Sequence, residues 1–332
     1  MILVFGKILV VSRGRIGGLA AAVVVALSAL TACGTAGAGG TLAGAPAGKV
    51  QVLASFYPLQ FVAQQVGGDR VHVDSLTPPG AEPHDVELSP AQVSAVETAD
   101  LVVYLSGFQA AVDDAVRQVR PRHVLDAAVH AGLMDLGTEQ ASEGADPLAG
   151  AGAGAGTATA RTLDPHFWLD PSRLPALADD VATALSQVDP AGATHYRAAA
   201  DRLSARFTSL DAAYRTGLAD CRRQVLVTSH EAFGYLALRY HLQQVGISGL
   251  DPETEPSPAR LAQIGDVVRR EGVTTIFFET LASPKVARTL ASDLGVQATV
   301  LDPMESITAP GADYFSVAQD NLATLRTALG CA

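Results

Sequence analysis

A repeated alternation of short apolar runs with amphipathic segments constrains the fold of this chain more than any other feature. Residues 50–130 switch between runs of strand length and runs with helical period, and residues 220–330 repeat the pattern. This alternation is typical of βαβ units, in which a crossover helix joins two parallel strands. The sequence therefore predicts an α/β protein with two lobes whose sheets are mainly parallel.

One long helical pattern separates the two alternating regions. Residues 191–218 contain no proline, and glycine occurs only near the two ends. A helix of about 28 residues would be about 40 Å long, which is enough to cross a whole domain. We predict an N-terminal lobe at 50–188, a linking helix at 190–218 and a C-terminal lobe at 220–332. A single stiff helix between lobes favours only modest closure on binding.

The first 32 residues have the composition of a secretory leader. They carry three basic residues, no acidic residue and an apolar run at 16–30. That run is shorter than the roughly 20 residues that a membrane span needs. It ends in Leu-Thr-Ala-Cys, which resembles a bacterial lipobox. The resemblance implies cleavage before Cys33 and a lipid on its sulfur; the alternative is an uncleaved signal anchor.

Two segments have little capacity to form a core. Residues 33–49, which follow the leader, are rich in Gly and Ala and predict a flexible tether. Residues 137–161 contain almost no large apolar side chain and predict a mobile surface loop.

The charge of the chain favours cations as partners. The formal net charge is −11, and removing the three basic residues of the leader makes it −14. A negative surface repels nucleic acid and anionic lipid headgroups. We therefore expect no nucleic-acid partner, and contact with the membrane only through the lipid anchor.

Once Cys33 is assigned to a lipid, two cysteines remain, Cys221 and Cys331. An even pair outside the cytoplasm favours a disulfide, here closing a loop of about 110 residues. The alternatives are two free thiols or a metal site that uses both sulfurs.

Candidate ligands are sought where strands end, because open α/β sheets bind ligands at their carboxyl edges. Four side chains of ligand type come just past hydrophobic runs, two in each predicted lobe: His84, His166, His230 and Asp302. The remaining five histidines are interpreted as surface or structural residues: His72, His123, His130, His195 and His241.

Three neutral imidazoles and one carboxylate suit a tetrahedral Zn²⁺. Contributions from both lobes would place such a site in the cleft between them. The alternative is that each histidine after a strand is an ordinary loop residue. Because a metal needs neutral imidazoles, affinity is expected to fall below about pH 6.

At these residues the chain resembles a known family, the metal-binding solute-binding lipoproteins of bacterial ABC importers for zinc and manganese, also called cluster A-I. The resemblance covers nearly the whole chain after the leader. It is carried by five segments in the family's order: PGAEPHDVELSP, DPHFWLDP, SHEAFGYLALRY, EPSPARLAQI and VLDPMES.

The resemblance implies a function as well as a fold. In that family the ligand positions match His84, His166 and His230, and an acidic residue after the last strand matches Asp302. It implies capture of a divalent metal ion at the extracytoplasmic face of the cell membrane and delivery to an ABC permease, by a monomer. Histidine at 230 is typical of zinc-type members, which makes Mn²⁺ the less favoured cargo; Glu231 is an alternative oxygen ligand.

Catalytic motifs are absent from the sequence. His230-Glu231 begins like H-E-x-x-H, but Gly234 stands where the second histidine is needed. We therefore predict no enzymatic activity. Two alternatives stay open: a secreted zinc-dependent hydrolase with Glu231 as general base, and a metal-dependent surface adhesin.

Overall fold

The structure is a computed structural model that describes residues 48–135, 163–307 and 309–332. The predicted leader, Cys33, nearly all of the tether and the predicted loop at 137–161 lie outside these residues. Among the described helices, none combines the length and the apolarity needed to cross a membrane.

The N-terminal lobe is built on a four-stranded sheet in the order β2-β1-β3-β4, and every neighbouring pair is parallel. Val52 of the first strand lies opposite both Val73 and Leu101, so the apolar positions of three strands share one register. The strands are β1 Val50–Ala54, β2 Val71–Ser75, β3 Leu101–Tyr104 and β4 Val124–Asp126. The helices are α1 Tyr57–Gly67, α2 Pro90–Thr98, α3 Ala110–Val119 and α4 Ala128–Ala131.

The C-terminal lobe repeats this topology. Its sheet has the order β6-β5-β7-β8, again with parallel pairs throughout. The strands are β5 Val225–Thr228, β6 Gln243–Gly246, β7 Thr275–Phe278 and β8 Gln297–Val300. The helices are α7 Gly234–Arg239, α8 Pro258–Glu271, α9 Lys285–Leu294 and α10 Tyr314–Leu329. The central strands β5 and β7 are buried along their whole length, as expected for parallel strands covered on both faces.

After the N-terminal sheet the chain forms α5 Leu174–Val188 and then the long helix α6 Ala193–Gly217. Pro190–Gly192 forms a 3₁₀ turn, so the long helix has 25 residues and begins slightly later than predicted. At 1.5 Å per residue it is about 37 Å long. The structure confirms the predicted fold class: two parallel-sheet α/β lobes with one long helix between them.

The last helix ties the two halves of the molecule together. Tyr314 stacks on Phe61 of α1 with ring centroids 5.6 Å apart, and Phe315 packs on Phe207 of α6 at 5.1 Å. The hydroxyl of Tyr214 donates a hydrogen bond to the carbonyl oxygen of Ala318 over 2.6 Å. Because α10 packs on elements from the N-terminal half, one continuous core crosses the lobes, and the lobe boundaries given above stay predictions.

Cys221 and Cys331 form a disulfide, as predicted, across a sequence separation of 110 residues. Neither sulfur is a free thiol or a metal ligand. Cys221 precedes β5 and Cys331 follows α10. The bond therefore lies at the amino edge of the C-terminal sheet, away from the carboxyl edge where ligands are expected.

Candidate metal centre

The structure brings the three predicted histidines together between the two sheets. His84 lies on the loop between β2 and α2, His166 precedes a 3₁₀ turn, and His230 follows β5 by two residues. The Nε2 atoms of His84 and His166 are 3.3 Å apart. The ring of His230 lies 5.9 Å from that of His84 and 5.4 Å from that of His166.

The carboxylate of this group belongs to Glu305. Its Oε1 atom lies 3.1 Å from the Nε2 of His166, 3.6 Å from that of His84 and 3.8 Å from that of His230. A tetrahedral ion with bonds of about 2.0–2.2 Å separates its ligand atoms by about 3.3–3.6 Å. The four separations of 3.1–3.8 Å given above are close to these values, and all four ligand atoms lie within 4.8 Å of one another, so the group could close around a tetrahedral zinc ion.

Asp302, the carboxylate that the sequence predicted for this position, is not part of the group. Its Oδ1 atom accepts a hydrogen bond from the backbone N–H of Met304 over 2.7 Å. Its own backbone is held by the side chain of Asn321 through bonds of 3.0 and 2.7 Å. Met304 has a φ of 57°, in the left-handed region. Asp302 thus shapes the turn that carries Glu305 to the histidines.

Glu231, the alternative oxygen ligand, also lies outside the group. Its carboxylate is 3.5 Å from the guanidinium of Arg260, and its backbone N–H donates to the carbonyl of Gly249. The other five histidines, all among the described residues, do not belong to the group either. Two of them pair with nearby carboxylates: His72 with Asp74 and His130 with Asp180.

Two further carboxylates orient the buried histidines. Asp164 Oδ1 lies 2.8 Å from Nδ1 of His166 and accepts from the same residue's backbone N–H. Glu279 Oε1 lies 2.8 Å from Nδ1 of His230 and accepts from the hydroxyl of Ser229. Such partners on one ring nitrogen fix the other nitrogen toward a metal. Neither residue is predicted as part of the site from the sequence, although Glu279 directly follows β7 at the carboxyl edge of the sheet.

The burial of the group is uneven. His166 and Glu305 are completely buried, and His230 is 1% exposed. The side chain of His84 is 12% exposed and packs edge-on against the ring of Phe108 at 4.8 Å. The centre is therefore closest to solvent on the side of the His84 loop.

Nearby carboxylates raise the pKa of both buried imidazoles. Burial acts to lower the pKa of His230, but its bond to Glu279 and the nearby carboxylate of Glu305 outweigh this and raise that pKa to about 10. Burial also acts to lower the pKa of His166, but Asp164 and Glu305 outweigh this, so that the pKa is raised. Burial would raise the pKa of Glu305, but the three nearby histidines lower it well below the usual range. Because a metal needs neutral imidazoles, these raised pKa values oppose cation binding at low pH.

Comparison with known proteins identifies relatives of this chain. A family model described as ZnuA, the periplasmic component A of a zinc-uptake complex, matches residues 52–328. The zinc-binding protein AdcA of Streptococcus pyogenes is 34% identical over 287 residues, 84% of this chain. The high-affinity zinc uptake system protein ZnuA of Bacillus subtilis is 34% identical over 305 residues, 90% of this chain and 93% of its own length. Of the AdcA relatives, the chain spans about half, 56% of their length.

Solved structures of similar proteins have the same fold. Zn(II)-bound AdcA of Streptococcus pneumoniae superimposes with a TM-score of 0.70 at 32% identity, covering 85% of this chain and 58% of that one. The laminin-binding protein Lbp of Streptococcus pyogenes gives a TM-score of 0.71 at 30% identity, with 84% and 98% covered. Because the family model spans more than half of this chain and its relatives exceed 30% identity, the chain belongs to the ZnuA family of zinc-uptake components.

Proposed function

We propose that this protein captures Zn²⁺ outside the cytoplasmic membrane and delivers it to an ABC permease for import. The ion is cargo rather than a resident cofactor. One observation carries the proposal: three imidazole nitrogens and one carboxylate oxygen face each other between the lobes at the spacing of a tetrahedral shell. The zinc-binding names of the relatives and the family's place in zinc-uptake complexes support it.

The proposed ligands are His84, His166, His230 and Glu305. Three imidazoles and one oxygen suit Zn²⁺, whereas Mn²⁺ favours sites richer in oxygen. Asp164 and Glu279 would keep the rings of His166 and His230 in the binding orientation. We therefore propose Zn²⁺ rather than Mn²⁺ as the cargo of this site.

We propose binding without catalysis. A catalytic zinc keeps one coordination position open for water, whereas four protein ligands fill a tetrahedral shell. Glu231, the general base of the hydrolase alternative, is paired with Arg260 and lies outside the ligand group. A buried four-ligand shell favours retention and transfer of the ion over turnover of a substrate.

The location follows from the sequence of the leader and from the relatives. We propose that Cys33 carries a lipid that holds a monomer at the outer face of the cell membrane. A similar protein in Streptococcus pneumoniae is named a zinc-binding lipoprotein. A disulfide also fits an oxidising compartment. Replacing Cys33 with Ser should move the protein from the membrane fraction to the soluble fraction.

The ligand set is tested by zinc titration of the mature chain, residues 34–332, against a competing chelator. Wild type should bind one Zn²⁺. Glu305→Gln should lose on the order of 100-fold in affinity, because one of the four proposed ligands loses its charge. Asp302→Asn is the matched control and should change affinity by less than about tenfold, since it affects only the turn.

A larger loss of zinc affinity in Asp302→Asn than in Glu305→Gln would identify Asp302 as the ligand and contradict the proposed shell. The cargo is tested separately by measuring the metal content of protein purified from cells supplied with both zinc and manganese. A preparation loaded mainly with manganese would contradict zinc as the cargo.

A further inference from the structure

A second group of possible ligands adjoins the histidine site. Glu82, Glu279 and Glu305 each place a carboxylate oxygen within 4.8 Å of the others. Of these three, only Glu305 belongs to the proposed zinc shell. Glu82 lies two residues before His84 on the same loop, and Glu279 follows β7.

The two oxygens of each carboxylate have different surroundings. The Oε1 atom of Glu82 accepts from the backbone N–H of His84 over 3.1 Å. The Oε1 atom of Glu279 is bonded to His230, and that of Glu305 faces the three histidines. The three Oε2 atoms are buried, and none has a hydrogen-bond partner among the residues that the structure describes. Oε1 of Glu305, which faces the histidines, also lacks a hydrogen-bond partner there.

Three buried carboxylate oxygens without partners are costly in a protein interior, and their grouping adds mutual repulsion. A divalent cation removes both costs at once. Glu279 is 3% exposed and Glu305 is fully buried, so these two cannot be satisfied from bulk solvent. Side chains of this kind, clustered with oxygen ligands only, suit a hard or hydrated divalent ion.

The group also extends in one direction from the zinc site. Glu82 is half-buried and lies on the loop of His84, the most exposed of the three histidines. The carboxylates therefore run from the buried Glu305 toward the solvent side of the centre.

We propose that Glu82, Glu279 and Glu305 form an oxygen-only position for a divalent cation, through which Zn²⁺ enters and leaves the histidine shell. This inference rests on the proposed function. The two positions share Glu305, so an ion that moves between them exchanges the oxygens of Glu82 and Glu279 for imidazole nitrogens while it stays bound to Glu305. Such a step lowers the barrier to exchange at a site that is otherwise buried.

The test compares zinc kinetics in two variants of the mature chain. Glu82→Gln keeps an amide oxygen that can accept from His84 N–H, but removes the charge. Glu87→Gln, on the same loop and exposed, removes the same charge outside the group. Stopped-flow mixing with Zn²⁺, and with a chelator for release, should show both rates slowed at least about fivefold in Glu82→Gln and unchanged in Glu87→Gln.

The equilibrium affinity should change less than the rates, because both directions slow together. Unchanged rates in Glu82→Gln, or equal slowing in both variants, would overturn the inference. Failure of the proposed function gives a different result: wild type itself would not bind one Zn²⁺ at equilibrium.

A second measurement does not depend on zinc. His230→Ala removes an imidazole but keeps the three carboxylates, and its folding is checked by circular dichroism. Electron paramagnetic resonance should show that this variant binds one Mn²⁺, and that His230→Ala with Glu82→Gln does not. Retention of the Mn²⁺ in the double variant would exclude Glu82 from the oxygen position.

Discussion

The two lobes have sheets of the same strand order, yet they build their halves of the metal centre differently. In the C-terminal lobe, His230, Glu279 and Glu305 follow strands β5, β7 and β8 by two, one and five residues. In the N-terminal lobe, His84 lies nine residues beyond β2, and His166 precedes a 3₁₀ turn rather than following a strand. One half is fixed by a sheet edge, and the other depends on loops.

The loop half is held by contacts with the opposite lobe. The indole N–H of Trp168 donates to the carbonyl of Pro303 over 2.8 Å, and the hydroxyl of Tyr314 donates to the carbonyl of Trp168 over 2.5 Å. Near His84, the backbone N–H of Gly80 donates to the hydroxyl of Ser306. The sheet edge therefore holds its ligand side chains in a fixed orientation. The loops leave the metal centre closer to solvent and depend on contacts with the other lobe to stay in place.

The largest expected effect comes from removing the disulfide, which lies at the amino edge of the C-terminal sheet, on the far side from the metal centre. Replacing Cys221 and Cys331 with Ser should lower the free energy of unfolding by about 4 kcal/mol, because the disulfide closes a 110-residue loop. Urea unfolding measures this change. Zinc affinity of the folded variant should stay within about threefold of wild type, since the bond lies at the amino edge of the sheet. A large loss of affinity would show that the two edges are coupled.

The next effect compares a buried ligand with an exposed one. His166→Ala should lower zinc affinity on the order of 100-fold or more, because it removes one of four ligands and takes the imidazole contact from the buried carboxylate of Asp164. His84→Ala should cost less, since its position is open to water that can fill the ligand's place. Chelator competition measures both. Equal losses would mean that the loop half is as rigid as the buried half.

A smaller effect is expected from the group that orients His166. Asp164→Asn keeps the size of the side chain but removes the charge that favours one imidazole orientation. Zinc affinity should fall about 10- to 100-fold, the usual cost of changing such a partner. The control is Asp85→Asn, because Asp85 is exposed. Asp170→Asn is not a suitable control, because Asp170 forms an ion pair with Arg173. An unchanged affinity in Asp164→Asn would remove the orienting role.

The smallest expected effect is the change of zinc affinity with each unit of pH. Since the folded-state pKa of His230 is raised to about 10, zinc must displace its proton at neutral pH. Affinity should therefore rise about tenfold per pH unit for each proton released, and fall as pH decreases well before about pH 6 is reached. Zinc competition at several pH values, with free zinc buffered, measures the slope.

The stability of the metal-free protein should change with pH in the opposite direction to the zinc affinity. The raised pKa of His230 stabilises the metal-free protein fully below its unfolded value near 6.5, and this stabilisation is lost as pH rises through about 10. Thermal unfolding of metal-free protein should show that loss. A flat zinc affinity across the range would contradict the proton displacement.

Much of the site could be predicted because strands end at a common edge. The short apolar runs located β5 and β8, and the rule that ligands follow strands selected His84 and His230. The same rule selected Asp302, the first acidic residue after β8, whereas the structure places the carboxylate of Glu305 with the histidines. No pattern in the sequence distinguishes two acidic residues three positions apart in a turn.

The sequence by itself determined the alternation of strands and helices, the long helix, the disulfide pair and the three histidines, because these follow from local periodicity and residue chemistry. Only the tertiary structure decided that Glu305 faces the histidines, since this depends on the left-handed Met304 and on the bonds of Asp302 to a distant helix. It also decided that α10 packs across both halves and that Glu279 orients His230. These features arise from contacts between segments far apart in the chain, which local patterns do not encode.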